Sequence, residues 1–227
     1  MKSKNISVLL IDDHPLILDA YKTALEYYSK QNNSIEFTIY TAEDCDEGLE
    51  RINSFSAEQK RLDIVFLDIM LPPSKDGKIL SGEDLGLRIR KLLPDAKIIV
   101  ATTLNDNYRV HSIFKSLDPD GFLIKNDITP KELIETIDVL LNDPPYYSRT
   151  VLKLLRKHVA NDFLLDNIDR RILHELSIGT KMKDLPDILP LSIAGIEKRK
   201  RQLKQIFNMD SHDDRELLAI ARKKGFI

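Results

Sequence analysis

Three carboxylates of this chain fall directly behind short aliphatic runs. Asp12 and Asp13 close the stretch Ile11-Asp12-Asp13-His14-Pro15, and Asp68 closes Phe66-Leu67-Asp68-Ile69-Met70-Leu71-Pro72. Carboxylates gathered at one place repel one another unless a cation neutralises them. A hard divalent ion with oxygen ligands, Mg2+, is the natural partner. A carboxylate is also a nucleophile and takes a phosphoryl group. Thr102 and Lys125 end two further apolar runs. A hydroxyl and an ammonium are the groups that contact the remaining oxygens of a phosphoryl group while a metal offsets its charge.

That chemistry requires the five positions to share one edge. Five β-branched or aliphatic runs are read as strands: Ser7–Asp12, Glu36–Thr41, Ile64–Asp68, Lys97–Thr102 and Gly121–Lys125. The first, third and fourth are almost continuously apolar, as parallel strands covered on both faces are. Amphipathic helical segments lie between them. Leu16, Ala20, Thr23, Ala24 and Tyr27 recur at helical spacing, as do Leu133, Ile134, Ile137, Leu140 and Leu141. Asp44, Asn105 and Thr129 stand at N-cap positions, with Pro130 first in its helix. The order is (βα)5, a parallel sheet with helices on both faces. The C-terminal strand ends of such a sheet line one rim, where ligands bind.

The pattern breaks at Asn142-Asp143-Pro144-Pro145. Residues 142–164 read as a linker that becomes a short helix after Ser148, with Tyr146 and Tyr147 packing it. Beyond Asp166 only helical segments follow, at about 167–178, 181–188, 192–206 and 213–224. The fold class is therefore α/β followed by all-α, with domains at 1–141 and 165–227. Charge divides the same way: residues 1–141 carry net −7 and residues 142–227 net +5, within an overall −2.

The motifs Ile11-Asp12-Asp13-His14-Pro15, Phe66-Leu67-Asp68-Ile69-Met70-Leu71-Pro72, Ile99-Val100-Ala101-Thr102 and Gly121-Phe122-Leu123-Ile124-Lys125 resemble the receiver domain of bacterial response regulators. This is a CheY-like, flavodoxin-like fold, and the resemblance spans residues 6–141. It implies that Asp68 is the phosphoacceptor and that Asp13 and Asp12 hold Mg2+, with the Met70 backbone carbonyl as a further contact. It implies that Thr102 turns towards the phosphoryl group, that Lys125 pairs with it, and that the rotamer of Phe122 reports the switch. One departure stands out. The loop after Asp68, residues 71–82, is about six residues longer than the family pattern. It is either a surface that touches a kinase or covers the phosphate, or a tolerated insertion.

The basic half holds Ser192-Ile193-Ala194-Gly195-Ile196-Glu197-Lys198-Arg199-Lys200-Arg201-Gln202-Leu203-Lys204-Gln205-Ile206-Phe207. As a helix it stacks Ile196, Leu203 and Phe207 on one face. Ala194, Lys198, Arg201 and Gln205 fall opposite, where base edges or phosphates of a major groove would lie. Arg199 is lateral and within reach of a phosphate backbone. Lys200 and Lys204 snorkel to the rim. With Gly179, Asp184-Leu185 and Leu191-Ser192, residues 165–227 resemble the helix-turn-helix of LuxR-type (NarL/FixJ) regulators. That implies double-stranded DNA as partner, with Ala194, Lys198, Arg199, Arg201, Lys204 and Gln205 as contacts. Glu197 departs from the pattern, standing where the family often has a basic or polar contact. It either accepts from a cytosine amine or, as the sequence favours, pairs with Lys200 or Arg201 along the helix.

The remaining composition excludes other classes. One cysteine, Cys45, rules out an intramolecular disulfide and a Cys-rich zinc site. The five histidines show no ligand spacing. No apolar run approaches the ~18 residues of a membrane span, and the polar N-terminus does not read as a signal peptide. The chain is expected to be a cytoplasmic regulator rather than an enzyme, phosphorylated by a sensor histidine kinase and dimeric when phosphorylated. The alternatives are a phospho-dependent module whose helical half binds protein, and an Asp-nucleophile phosphohydrolase. The second alternative would need a substrate pocket that this length leaves no room to build.

Overall fold

A computed structural model describes residues 3–104, 106–156, 165–207, 209 and 213–227. Asn105, expected as an N-cap, and linker residues 157–164 lie outside the described residues. The chain divides into two compact units, Met1–Asn105 with Ile113–Lys157, and Asp106–Ser112 with His158–Ile227.

The first unit alternates strand and helix: β1 (Lys4–Ile11), α1 (Pro15–Gln31), β2 (Ile35–Ala42), α2 (Cys45–Ala57), β3 (Ile64–Leu67), α3 (Gly82–Leu92), β4 (Lys97–Thr102), α4 (Asn107–Leu117), β5 (Gly121–Ile124) and α5 (Pro130–Asn142). The last residues of α4 fall in this unit. All strand pairs are parallel, in the order β2-β1-β3-β4-β5 with a sixth strand, β6 (Tyr146–Tyr147), beyond β5. Four-residue β3 and β5 are buried along their whole length, as expected for strands with helices on both faces. Ile6, Val8, Leu10, Phe66 and Leu123 turn to α1 and α5, meeting Leu18, Leu25, Leu133, Ile137 and Leu140. Ile11 and Leu67, of the opposite orientation, meet Gly48 of α2 and Gly86 of α3. Each fully buried aliphatic contributes roughly 1.5–3 kcal/mol. The Asp44 carboxylate accepts from the Glu47 amide and the Thr129 hydroxyl from the Glu132 amide, so both caps form as the sequence predicts.

The sixth strand is not legible in the sequence. β6 (Tyr146–Tyr147) sits in the segment read as linker and pairs with Gly121 and Phe122 of β5. Two residues are too few to show periodicity. Aromatic packing holds them: the Tyr147 ring meets Phe114 edge-on at 4.8 Å, and Phe114 stacks on Phe122 at 5.4 Å. Then α6 (Arg149–Arg156) buries Val151 and Leu154.

The second unit holds α7 (Asn167–Ser177), α8 (Leu185–Ile188), α9 (Ile193–Ile206) and α10 (Asp214–Lys223). The helix expected over 181–188 shrinks to one turn. Pro186 fixes its start, and Lys181–Asp184 close a separate turn instead, the Asp184 amide donating to the Lys181 carbonyl at 2.9 Å. Leu173, Leu203, Phe207, Leu217 and Phe226 form one cluster. Ile172, Leu185, Leu189 and Ile196 form a second. Ile196, Leu203 and Phe207, the predicted stripe of α9, are all buried.

Candidate functional site

β1 lies between β2 and β3, so chain order reverses at the β1–β3 crevice. Ligands of open parallel sheets bind outside the strand ends at such a reversal. Ile11 stands opposite Leu67 in register, which makes Asp12 and Asp68 leave the sheet side by side. The Asp68 amide donates to the Ile11 carbonyl at 2.9 Å, one rung beyond the strands.

Lys125 follows the end of β5. Its Nζ lies 2.7 Å from Asp12 Oδ2 and 2.6 Å from Asp68 Oδ2. The other oxygens meet backbone: the Met70 amide donates to Asp68 Oδ1 at 2.9 Å, and the His14 amide to Asp12 Oδ1 at 3.1 Å. Asp12 and Asp68 are buried, while Asp13 is only half-covered. Burial pushes the Asp68 carboxyl above the usual carboxylate range. The Lys125 ammonium and the Met70 amide pull it back only in part, and the charge on Asp12 adds to the rise. Thr102 is buried at the end of β4, and its Oγ1 accepts from the Leu104 amide at 3.3 Å. Phe122 is fully buried on β5. The Met70 side chain is exposed.

These residues fit a divalent cation. Asp12, Asp13, His14 and Asp68 each offer a ligand atom, all within 4.8 Å of one another. Three carboxylates against one ammonium leave two negative charges, and three of the four ligand groups are hard oxygen donors. His14 was not singled out by spacing. Its Nδ1 lies 2.6 Å from Asp13 Oδ1, and its adjacency in Asp-Asp-His was the available signal.

The long loop after Asp68 is ordered from within. Buried Ser74 accepts from the Ile79 amide through Oγ at 3.0 Å and donates to Asp76 Oδ1 at 2.8 Å. The Lys75 amide reaches back to Asp46 Oδ2 of α2 at 3.1 Å, and the Leu80 amide to Asp84 Oδ2 at 2.8 Å. The loop returns at Gly82, whose amide donates to the Ile69 carbonyl at 3.2 Å. A Cβ there would stand 1.7 Å from the carbonyl oxygen of Asp68. Only glycine lets α3 begin against the backbone of the acid.

On α9 the Ser192 hydroxyl caps the first turn, accepting from the Gly195 amide. Ala194, Glu197, Lys198, Arg201 and Gln205 are exposed. Arg199 and Lys204 have acidic partners within their own unit. Arg199 Nη1 lies 2.8 Å from both Asp166 Oδ2 and Asp169 Oδ1, the capping box of α7. Lys204 and Lys200 reach the two oxygens of Asp214 at 2.8 and 2.5 Å. Burial alone would raise the Asp214 carboxyl, but the two lysines more than offset it and hold it below the usual range. The pairing favoured for Glu197 does not form. Lys200 has gone to Asp214, and among the described residues Glu197 makes no ion pair with Arg201.

The rim of acids on a doubly wound sheet is that of a receiver, and the response regulator receiver domain model matches residues 8–138. The chain belongs to that family. It also aligns over most of its length with most of the length of known regulators. It is 29% identical to the transcriptional regulatory protein MctR of Rhizobium johnstonii, covering 88% of this chain and 86% of that one. It is 26% identical to a nitrate/nitrite response regulator homologue of Haemophilus influenzae, covering 91% and 92%. Among solved structures, RcsB of Salmonella typhimurium superimposes with a TM-score of 0.64 at 23% identity, covering 99% of each chain. RcsB bound to promoter rprA with the phosphomimetic BeF3- gives 0.64 at 22%, covering 96% and 98%. At such identity the likeness shows the fold, an α/β receiver followed by a helical domain of the RcsB kind. Among the described residues no helix is long and apolar enough to cross a membrane.

Proposed function

We propose that this chain is the response regulator of a two-component phosphorelay. In this reading a sensor histidine kinase phosphorylates Asp68 in the cytoplasm, and the phosphorylated form dimerises and binds double-stranded DNA through α9 to regulate transcription. The observation that carries the reading is the buried Asp12–Lys125–Asp68 bridge at the crevice of the sheet. An Asp68 oxygen attacks the phosphorus of the donor, the P–N bond of a phosphohistidine breaks, and its electron pair leaves on the imidazole. The product is an acyl phosphate on Asp68. Asp12, Asp13, Asp68 and the Met70 carbonyl would hold Mg2+, which would supply charge neutralisation for the transferring group. Lys125 gives up Asp68 and pairs with the phosphoryl oxygen that replaces its charge. Thr102 exchanges its bond to the Leu104 amide for one to a second phosphoryl oxygen, and Phe122 repacks into the space behind it. Phosphate thereby shifts a population between two arrangements.

The helical unit supports the DNA reading by its layout. Ala194, Lys198, Arg201 and Gln205 form the outer face, and a dimer would set two such helices in successive major grooves. Arg199 and Lys204 hold α9 in its unit and reach a duplex only by leaving Asp169 and Asp214. Of the relatives named above, MctR is a transcriptional regulatory protein, and RcsB has been solved on promoter DNA.

The test is phosphotransfer from a small acyl phosphate to wild type and Asp68→Asn, with Mg2+ and with EDTA. Labelling is expected only in wild type with Mg2+, together with a rise in dimer and in DNA affinity that falls steeply with salt. An unlabelled wild type overturns the phosphorelay. A labelled protein with no salt-dependent DNA affinity makes the helical unit a protein-binding module.

A further inference from the structure

A carboxylate on the outer face of a helix that meets DNA is costly. It repels the phosphates on either side of the groove and loses water on entering it. Glu197 is such a group. It is the fifth residue of α9, in the N-terminal half from which recognition helices reach base edges. It is exposed. Neither partner that would explain it as surface electrostatics is engaged with it: Lys200 is bound to Asp214, and among the described residues Arg201 makes no ion pair with Glu197. Lys198 and Arg201, exposed beside it, supply the phosphate attraction that brings the helix in. A carboxylate has acceptors and no donor, so only a base that offers a donor to the major groove satisfies it.

We propose that Glu197 is a specificity-determining residue that accepts a hydrogen bond from the N4 amine of a cytosine in each half-site. This rests on the DNA reading of the helical unit. Guanine offers only O6 and N7, both acceptors, so a carboxylate opposite guanine is repelled twice. Thymine offers an acceptor and a methyl group. Adenine offers a donor, but N7 sits beside it and faces the second carboxylate oxygen. Cytosine presents a donor without an acceptor on its own edge. The residue therefore acts by exclusion as much as by attraction, since guanine and thymine leave a desolvated charge unpaired and adenine sets an acceptor against it.

The experiment is selection from a random duplex library by the phosphorylated full chain, using wild type, Glu197→Ala and Glu197→Gln in parallel. Glu197 is exposed and makes no ion pair on α9, so both variants keep the fold. Wild type is expected to enrich one cytosine per half-site with a preference on the order of tenfold over the other bases. In Glu197→Ala that one position becomes indifferent while the rest of the motif persists, and affinity for unselected DNA rises. In Glu197→Gln the preference moves to adenine, whose N6 and N7 match a carboxamide. Identical motifs from all three proteins overturn the inference and leave DNA binding intact. No enriched motif from wild type overturns the DNA reading itself, and the inference with it.

Discussion

The two units each place cations between aspartates, to opposite ends. At the crevice of the sheet, Asp12 and Asp68 share one ammonium, that of Lys125, and Asp13 stands beside them against His14; Lys125 is the one lysine or arginine paired with these acids among the described residues. In the helical unit Asp166, Asp169 and Asp214 face three cations, Arg199, Lys200 and Lys204. Among the described residues the second set pairs three acids with three cations, and it ties α7, α9 and α10 together. The first is short by two positive charges. A balanced network is a clamp, whereas an unbalanced one is a receptor for a cation. The carboxyls follow burial as well as partners: burial raises Asp68 despite Lys125 and Asp169 despite Arg199, while the more exposed Asp214 is held below the usual range by its two lysines.

Removing Lys125 breaks the comparison most severely. Lys125→Ala leaves two buried carboxylates facing each other, and stability in EDTA is expected to fall by about 3 kcal/mol. Millimolar Mg2+ should recover much of that loss, read as the urea midpoint with and without the ion. A loss that Mg2+ leaves untouched would mean that the crevice is a clamp after all.

Arg199→Met makes the matching cut in the helical unit. Arg199 is partly exposed and Asp169 buried, so the expected cost is smaller, about 1 kcal/mol after screening. Mg2+ should not restore it, and Asp68 should still label at the wild-type rate. A rescue by Mg2+ here would erase the distinction between the two sets.

The smallest effect is one of pH. The raised Asp68 carboxyl stabilises the fold below the unfolded-state value near 3.9, and that contribution is lost as pH rises through the folded value. Asp68→Asn should therefore lift the urea midpoint in EDTA at pH 7.5, and the gain should vanish towards pH 4. The lowered Asp214 carboxyl works the other way, stabilising above the unfolded value and failing as pH drops through the folded one. Asp214→Asn should cost stability at pH 7.5 and little near pH 3. Parallel slopes for the two variants would show that the carboxyls share one environment.

Legibility in the sequence followed length scale. Apolar runs and their punctuation marked five strands, the helices and the rim that collects Asp12, Asp13, Asp68, Thr102 and Lys125. Periodicity reports which face is buried, and that sufficed for the α9 stripe. It does not report which acid a long cation reaches. Arg199, Lys200 and Lys204 bind aspartates 30, 14 and 10 positions away, and nothing local signals those distances. Tyr146–Tyr147 were too short to read as a strand, and Pro186 trimmed a helix that the pattern had drawn longer. Gly82 was hidden for another reason. Its role depends on the backbone of Asp68, fourteen residues earlier, rather than on its own neighbours.

That last contact has a bearing on ancestry. The loop leaves at Ile69 and returns at Gly82, and the two are joined by a main-chain hydrogen bond. Whatever happens to residues 72–79, the clasp ties the backbone beside the acid to the start of α3. Lengthening a closed loop is inexpensive, with each doubling costing only about 0.6 kcal/mol. The segment is therefore a cassette. Insertions, deletions and exchanges can accumulate in it over generations while the residue it hangs from stays in place, and a lineage can reshape this surface without reinventing its chemistry.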